Sequence, residues 1–249
     1  MNNLKKLYYF LNQNILICLK LLIPLIFSCV SLDGAYAVEG KKLDMFDEAR
    51  GRNVAVVIYQ GEAINKPVVI INHGFGVKNT EYSFIANVLA SRGYFVVSIQ
   101  HDLQTDKPLP TMGNLFDTRK PLWERGVQNI LFVIDKLKNI EPQLDLSKVI
   151  LIGHSNGGDI SMMFATLHPD RLSKIISLDS RRYPFPRNKN IEILRFGAVD
   201  DQPDEGVVPQ GAQVIYVKGA RHIDLCDRGS PEIKDEIQKS IIEFLRIGK

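Results

Sequence analysis

Cysteine is scarce in this chain. There are three in 249 residues, and Cys18 and Cys29 fall inside the first 37. Beyond residue 37 only Cys226 remains, so an intramolecular disulfide framework is excluded and a hydrophobic core must supply the stability. Cys226 itself reads as a packed small side chain. Charge of one sign is also lacking. The whole chain carries a formal +3, and without residues 1–37 it holds 28 basic and 27 acidic residues. Such a balance gives no footprint for nucleic acid or an anionic membrane as partner. Internal repeats and low-complexity tracts are absent. No Gly-x-Gly-x-x-Gly follows a first strand and no His/Cys cluster has metal-ligand spacing, so neither a metal nor another cofactor is expected.

Long apolar runs are equally rare. The longest, Ile15 to Leu32, is broken by Lys20 and Pro24. Lys5 and Lys6 precede it, and Ala35-Tyr36-Ala37 follows with the small-x-small pattern of a signal-peptidase site. The expectation is a secretory signal over 1–37, cleaved after Ala37, and a secreted or periplasmic domain over 38–249. In that case the chain meets a membrane only through an uncleaved signal. Two other readings use the same residues. One is an anchor through 15–32, against which Lys20 leaves fewer than the ~18 uninterrupted residues that a spanning helix prefers. The other is lipidation at Cys29, against which bulky Phe27 stands.

The remaining length suits one large domain. Val54–Tyr59, Pro67–Asn72, Tyr94–Ile99, Val149–Ile152, Lys174–Leu178, Ile191–Gly197 and Gln213–Val217 read as strands. Several are continuous apolar runs, as a sheet covered on both faces requires. Helical spacing predicts helices over Thr80–Ser91, Pro121–Leu137, Asp159–Leu167 and Pro231–Ile247. Residues before Val54 are charged and turn-forming, and a long loop runs from Leu103 to about Thr118. The alternation gives an α/β class, a mostly parallel sheet with helices on both faces. Functional residues should then lie at the carboxyl ends of the strands.

One stretch organises the rest. Val149-Ile150-Leu151-Ile152 runs straight into Gly153-His154-Ser155-Asn156-Gly157-Gly158, and a helical pattern follows. Strand, Gly-x-Ser-x-Gly and helix together form the layout of a nucleophile elbow. Glycines at 153 and 157 suit the tight turn. A serine needs a base and an orienting group, and in this layout the chain order is Ser, acid, His. His222 follows the last strand and is the expected base. His154 adjoins the serine, and His168 ends a helix before Pro169. Asp200 is the expected acid, three residues past Gly197, with Asp201 and Asp179 as alternatives. Asp179 has a second reading as a partner of Arg181 or Arg182. The oxyanion of a tetrahedral intermediate calls for two backbone N–H donors, assigned to Asn156 and to Phe75 in His73-Gly74-Phe75-Gly76. Tyr82, Tyr183 and Phe185 are candidates for the substrate pocket, and Arg181 and Arg182 for binding an acidic group.

These motifs resemble a known family. Asp47-Glu48-Ala49-Arg50-Gly51-Arg52, the His73-Gly74 loop and the Gly153–Gly158 elbow are similar to those of bacterial dienelactone-hydrolase-like, polyester-hydrolase-like and chlorophyllase-like esterases of the α/β-hydrolase superfamily. The resemblance covers roughly residues 42–247. It implies an α/β-hydrolase fold and cleavage of a small-molecule or polymeric carboxylic ester through an acyl-serine. The chain departs from dienelactone hydrolases proper, which use cysteine where Ser155 stands, and has no room for a large cap domain before the acid loop. A peptidase or amidase and a thioesterase use the same machinery. A non-catalytic binding protein would keep the fold without it, yet here serine, histidine and elbow glycines are all present.

Overall fold

The computed structural model describes residues 38–61, 67–200 and 202–246. The expected signal segment 1–37, the apolar run 15–32 and Cys29 lie outside the described residues, as does Asp201. Eight strands form one sheet in the order β1-β2-β4-β3-β5-β6-β7-β8. They are β1 (Lys41–Asp47), β2 (Arg52–Gln60), β3 (Val68–Asn72), β4 (Phe95–Ile99), β5 (Val149–His154), β6 (Leu172–Leu178), β7 (Glu192–Gly197) and β8 (Gln213–Tyr216). The pairings β1/β2 and β2/β4 are antiparallel and all others are parallel. This mostly parallel sheet, flanked by helices, is the α/β-hydrolase architecture.

The apolar runs are continuous because both faces of the sheet are covered. In β3, Val68 and Ile70 face one core, while Val69 and Ile71 face the other. Helices α2 (Leu115–Ile140) and α3 (Asn156–Leu167) cover the first face with Trp123, Val127, Ile130, Ile134, Ile160 and Phe164. Helices α1 (Ser83–Ala90) and α4 (Pro231–Arg246) cover the second with Ile85, Leu89, Ile237, Ile241 and Phe244. Stripes of this kind stabilise by roughly 25 cal/mol per Å² of apolar surface removed from water. The connections from β6 to β7 and from β7 to β8 contain no helix among the described residues, and no cap domain interrupts them.

Two elements depart from expectation. Strand β1 lies where a charged, irregular opening was expected, and every residue from Lys41 to Asp47 pairs with β2. Helix α2 begins at Leu115, six residues before the expected start at Pro121. Its N-cap is Asn114, whose side chain accepts hydrogen bonds from the N–H groups of Phe116 and Asp117 at 3.1 and 3.4 Å. That cap satisfies two orphan donors, and Pro121 is carried inside the helix.

Candidate active site

Ser155 stands between β5 and α3 with φ 53 and ψ −121, a left-handed conformation that a non-glycine residue adopts only under constraint. The constraint is visible. The Ser155 N–H donates to Leu178 O at 2.9 Å, and Ser155 O accepts from the N–H groups of Gly158 and Asp159. A β-carbon on Gly157 would lie 2.1 Å from Asn72 O, and one on Gly153 would lie 2.4 Å from Gly157 O. The two elbow positions therefore admit only glycine. Asn156 opens α3, where backbone N–H groups lack helical partners. Its side chain is held by Trp123 Nε1–H, which donates to Asn156 Oδ1 at 2.8 Å.

The carboxylate that meets the His222 ring differs from expectation. His222 Nδ1 donates to Asp179 Oδ2 at 2.8 Å, which leaves Nε2 as the basic nitrogen. Asp200 meets the same residue in another way: its Oδ1 accepts the backbone N–H of His222 at 2.7 Å. The topology explains this. Leu178 at the end of β6 pairs with His154 at the end of β5, so Asp179 is the residue beside the elbow. Asp200 follows β7, one strand further from Ser155.

The Asp179 carboxylate is wholly buried and sits at φ 56. Oδ1 accepts from Arg195 Nη2 at 2.7 Å and from the Ala198 N–H at 3.3 Å. Oδ2 accepts from Arg181 Nη2 at 2.9 Å as well as from His222. Burial pushes its pKa up, but His222, Arg181 and Arg195 outweigh burial and hold it below the ordinary aspartate value. Arg195 was not anticipated, although an arginine inside the apolar run Ile191–Gly197 is itself a signal. It is 1% exposed, and a buried guanidinium demands a counter-charge. Arg181 is engaged with Asp179, and Arg182 with Asp204 at 2.6 Å.

The loop after β3 lies against Ser155. A β-carbon on Gly74 would lie 3.3 Å from Ser155 Cβ and 2.9 Å from His154 Nδ1. Phe75 is 44% exposed, and Gly76 turns the chain at φ 73. A hollow of about 480 Å³ beside this loop is lined by Phe75, Lys78, Gln100, Asp102 and Gln104, among others.

The three pocket candidates fare differently. Tyr82 is 1% exposed and faces inward, where its hydroxyl meets Gly74 N at 2.9 Å and His154 Nδ1 at 2.8 Å. It is part of the buried core. Phe185 is buried in the core, under a separate hollow of about 680 Å³ that includes neither Ser155 nor His222. Tyr183 does lie near the elbow. It stacks on Phe116 at 5.7 Å and meets Trp123 edge-on at 5.7 Å, beside Asn156. One further group supports the acid loop: Asp159 Oδ1 accepts the N–H groups of Arg181, Arg182 and Tyr183 at 3.0 to 3.1 Å. Burial pushes its pKa up to about 6 despite those bonds. Among the described residues no group of three His, Cys, Asp or Glu is placed to hold a metal ion.

A model of the Chlorophyllase family matches residues 27–179, more than half of the chain. The chain belongs to the chlorophyllase family. That family lies within the α/β-hydrolase superfamily, among esterase/lipase-like hydrolases. The chain is 31% identical over 124 residues to a putative esterase/lipase of Haemophilus influenzae, aligning half of this chain with 38% of that protein. It is 27% identical over 157 residues to platelet-activating factor acetylhydrolase of Cavia porcellus, aligning 47% of this chain with 36% of that protein. It thus spans well under half the length of these two relatives. The fold matches a ferulic acid esterase from Streptomyces cinnamoneus with a TM-score of 0.62, 14% identity and coverage of 87% and 91% of the two chains. It also matches Pyrococcus horikoshii acylaminoacyl peptidase with a TM-score of 0.58 and 16% identity, covering 90% of this chain and 43% of that one.

Proposed function

We propose that this protein is a serine hydrolase that cleaves carboxylic esters through an acyl-serine intermediate. The observation that carries the reading is the Asp179–His222 pair at 2.8 Å, set one strand from a strained Ser155 elbow. Ser155 Oγ attacks the ester carbonyl while His222 Nε2 takes its proton. Asp179 fixes the imidazole tautomer and favours the imidazolium that forms. The N–H groups of Asn156 and Phe75 receive the oxyanion, and each such donor lowers the barrier by about 3 kcal/mol. His222 then protonates the leaving alcohol, and water, deprotonated by the same nitrogen, releases the acid and restores Ser155.

Phe116 and Tyr183 beside Asn156 suit an apolar or aromatic acyl group. The similarity to the esterase/lipase and acetylhydrolase relatives supports an ester over an amide. Export through the 1–37 signal, to the outside of the cell or the periplasm, belongs to the same reading. The test is turnover of p-nitrophenyl esters from acetate to decanoate, with matched anilides and thioesters, by the protein and by Ser155→Ala. Ester turnover that vanishes in Ser155→Ala is expected. Equal turnover by both proteins, or hydrolysis of anilides alone, would overturn the reading.

A further inference from the structure

A second set of buried groups joins the oxyanion loop to the base loop, and its protons can all be assigned. His154 Nε2 lies 3.0 Å from His222 O, which only accepts, so Nε2 carries the hydrogen. Burial, with His222 nearby, pushes the His154 pKa down to about 3, so the ring is neutral and Nδ1 is an acceptor. Tyr82 O–H therefore donates to Nδ1 at 2.8 Å, and the same oxygen accepts the Gly74 N–H at 2.9 Å. The order runs Gly74 N–H, Tyr82 O–H, His154, His222 C=O, with every donor pointing the same way.

Tyr82 and His154 are each 1% exposed and do not face the solvent side of the site. With the Gly74 N–H engaged by Tyr82, the Phe75 N–H is the donor left to the oxyanion on that loop. The His222 main chain is held at two points, by His154 at its carbonyl and by Asp200 at its N–H. The separation of oxyanion donor and base across Ser155 is thus set by one tyrosine and one histidine.

We propose that Tyr82 and His154 are positioning residues of the ester-cleaving site, acting together as a strut between the Gly74–Phe75 loop and the loop that carries His222. The inference rests on the serine-esterase reading. Displacing an oxyanion donor or a base by ~1 Å weakens contacts made in the transition state, and about 100-fold in rate is at stake. Substrate binding before reaction is little affected. Tyr82→Phe keeps the ring and its packing but leaves the Gly74 N–H and His154 Nδ1 without partners.

The test compares Tyr82→Phe, His154→Gln and the double variant with the parent on three readouts. The first is kcat and KM for p-nitrophenyl butyrate. The second is the inhibition constant of phenylboronic acid, which adds to Ser155 as a tetrahedral mimic, against that of the butyrate product. The third is the rate at which a fluorophosphonate labels Ser155. Tyr82→Phe is expected to lower kcat 10- to 100-fold with KM within twofold. Boronate affinity and labelling rate should fall by similar factors, and butyrate affinity should hold. A residue that only supports folding would lower the melting temperature without separating the boronate from the butyrate. The double variant should be no slower than the slower single variant, because both break one strut. Labelling of Tyr82→Phe at the parental rate, or equal loss of boronate and butyrate affinity, would overturn the proposal. Should His154→Gln fail to fold, Tyr82→Phe decides alone. A parent that labels but hydrolyses no ester removes the ester reading and leaves the strut to be judged by labelling rates. A parent that does not label overturns both.

Discussion

Asp179 and Asp200 both touch His222, and their contacts assign them different work. Asp179 holds the imidazole, while Asp200 holds the backbone. Asp179→Asn is therefore expected to lower kcat by about 10³- to 10⁴-fold, since an amide no longer favours the imidazolium. It should also lower stability by about 3 kcal/mol, because Arg195 then keeps a buried charge without a counter-ion. Asp200→Asn preserves an acceptor for the His222 N–H and should change kcat less than about threefold, within the small effect expected of a retained hydrogen bond. Steady-state kinetics and urea unfolding of the two variants check the assignment, and the reverse ranking would return the acid role to Asp200. The strained turn at Ser155 and the His222 loop were legible in the sequence because an elbow has a fixed pattern and few histidines follow it. The carboxylate partner of the His222 ring was not, because Asp179 follows β6 and Asp200 follows β7, and only the β5/β6 pairing shows which lies beside Ser155. Tyr82 was misread for a related reason: an aromatic near a loop gives no sign of whether it faces solvent or the core.

At the scale of elements, the apolar runs of β3 to β7 and the stripes of α1 to α4 could be read because burial imposes period and composition together. Strand β1, Lys-Lys-Leu-Asp-Met-Phe-Asp, could not, because it is an edge strand and only Met45 and Asp47 are buried. The start of α2 was misplaced because a proline at the first helical position is a strong prior, and here the Asn114 cap overrides it. The six added residues have a use. They carry Phe116 to Trp123 at 5.5 Å and to Tyr183 at 5.7 Å, which completes the aromatic wall beside Asn156. Asn114→Ala should cost about 1 kcal/mol of stability through the lost cap. The first turn should fray and Phe116 loosen with it. The kcat/KM for a phenylpropionyl ester should then fall several-fold more than that for an acetyl ester. A panel giving the same ratio in both proteins would show that Phe116 does not line the acyl site.

Across the whole molecule, a second hydrogen-bonded line, with every donor pointing the same way, joins the β1–β2 turn to the elbow. Arg50 Nη1 donates to Asn129 Oδ1 at 3.0 Å, and Asn129 Nδ2 to His101 Nδ1 at 3.4 Å. His101 Nε2 donates to Asn72 Oδ1 at 2.9 Å, Asn72 Nδ2 to Ser161 Oγ at 2.9 Å, and Ser161 Oγ to Gly157 O at 2.8 Å. The line closes only if His101 is neutral, and burial, with His73 and nearby arginines, pushes its pKa well below the ordinary value. His73 is lowered by burial as well, and His154 stands at about 3. The folded protein thus keeps protons off three buried histidines that an unfolded chain would protonate below about pH 6.5. Asp159 opposes them, since its raised pKa means that unfolding releases a proton between about pH 4 and 6. Below about pH 6 the histidines make unfolding take up protons and Asp159 offsets part of that uptake, so stability should fall as the pH is lowered from 8 to 5. His101→Leu removes one of those groups and should make the fall in stability shallower. It also leaves Asn72 and Asn129 each short of a partner, which should lower stability at pH 8 by about 2–4 kcal/mol. Urea unfolding at pH 5, 6 and 8 measures both quantities. A variant destabilised at pH 8 but with an unchanged slope would show that His101 is already protonated in the folded protein, and the line from Arg50 to Gly157 would then have to be broken at Nδ1.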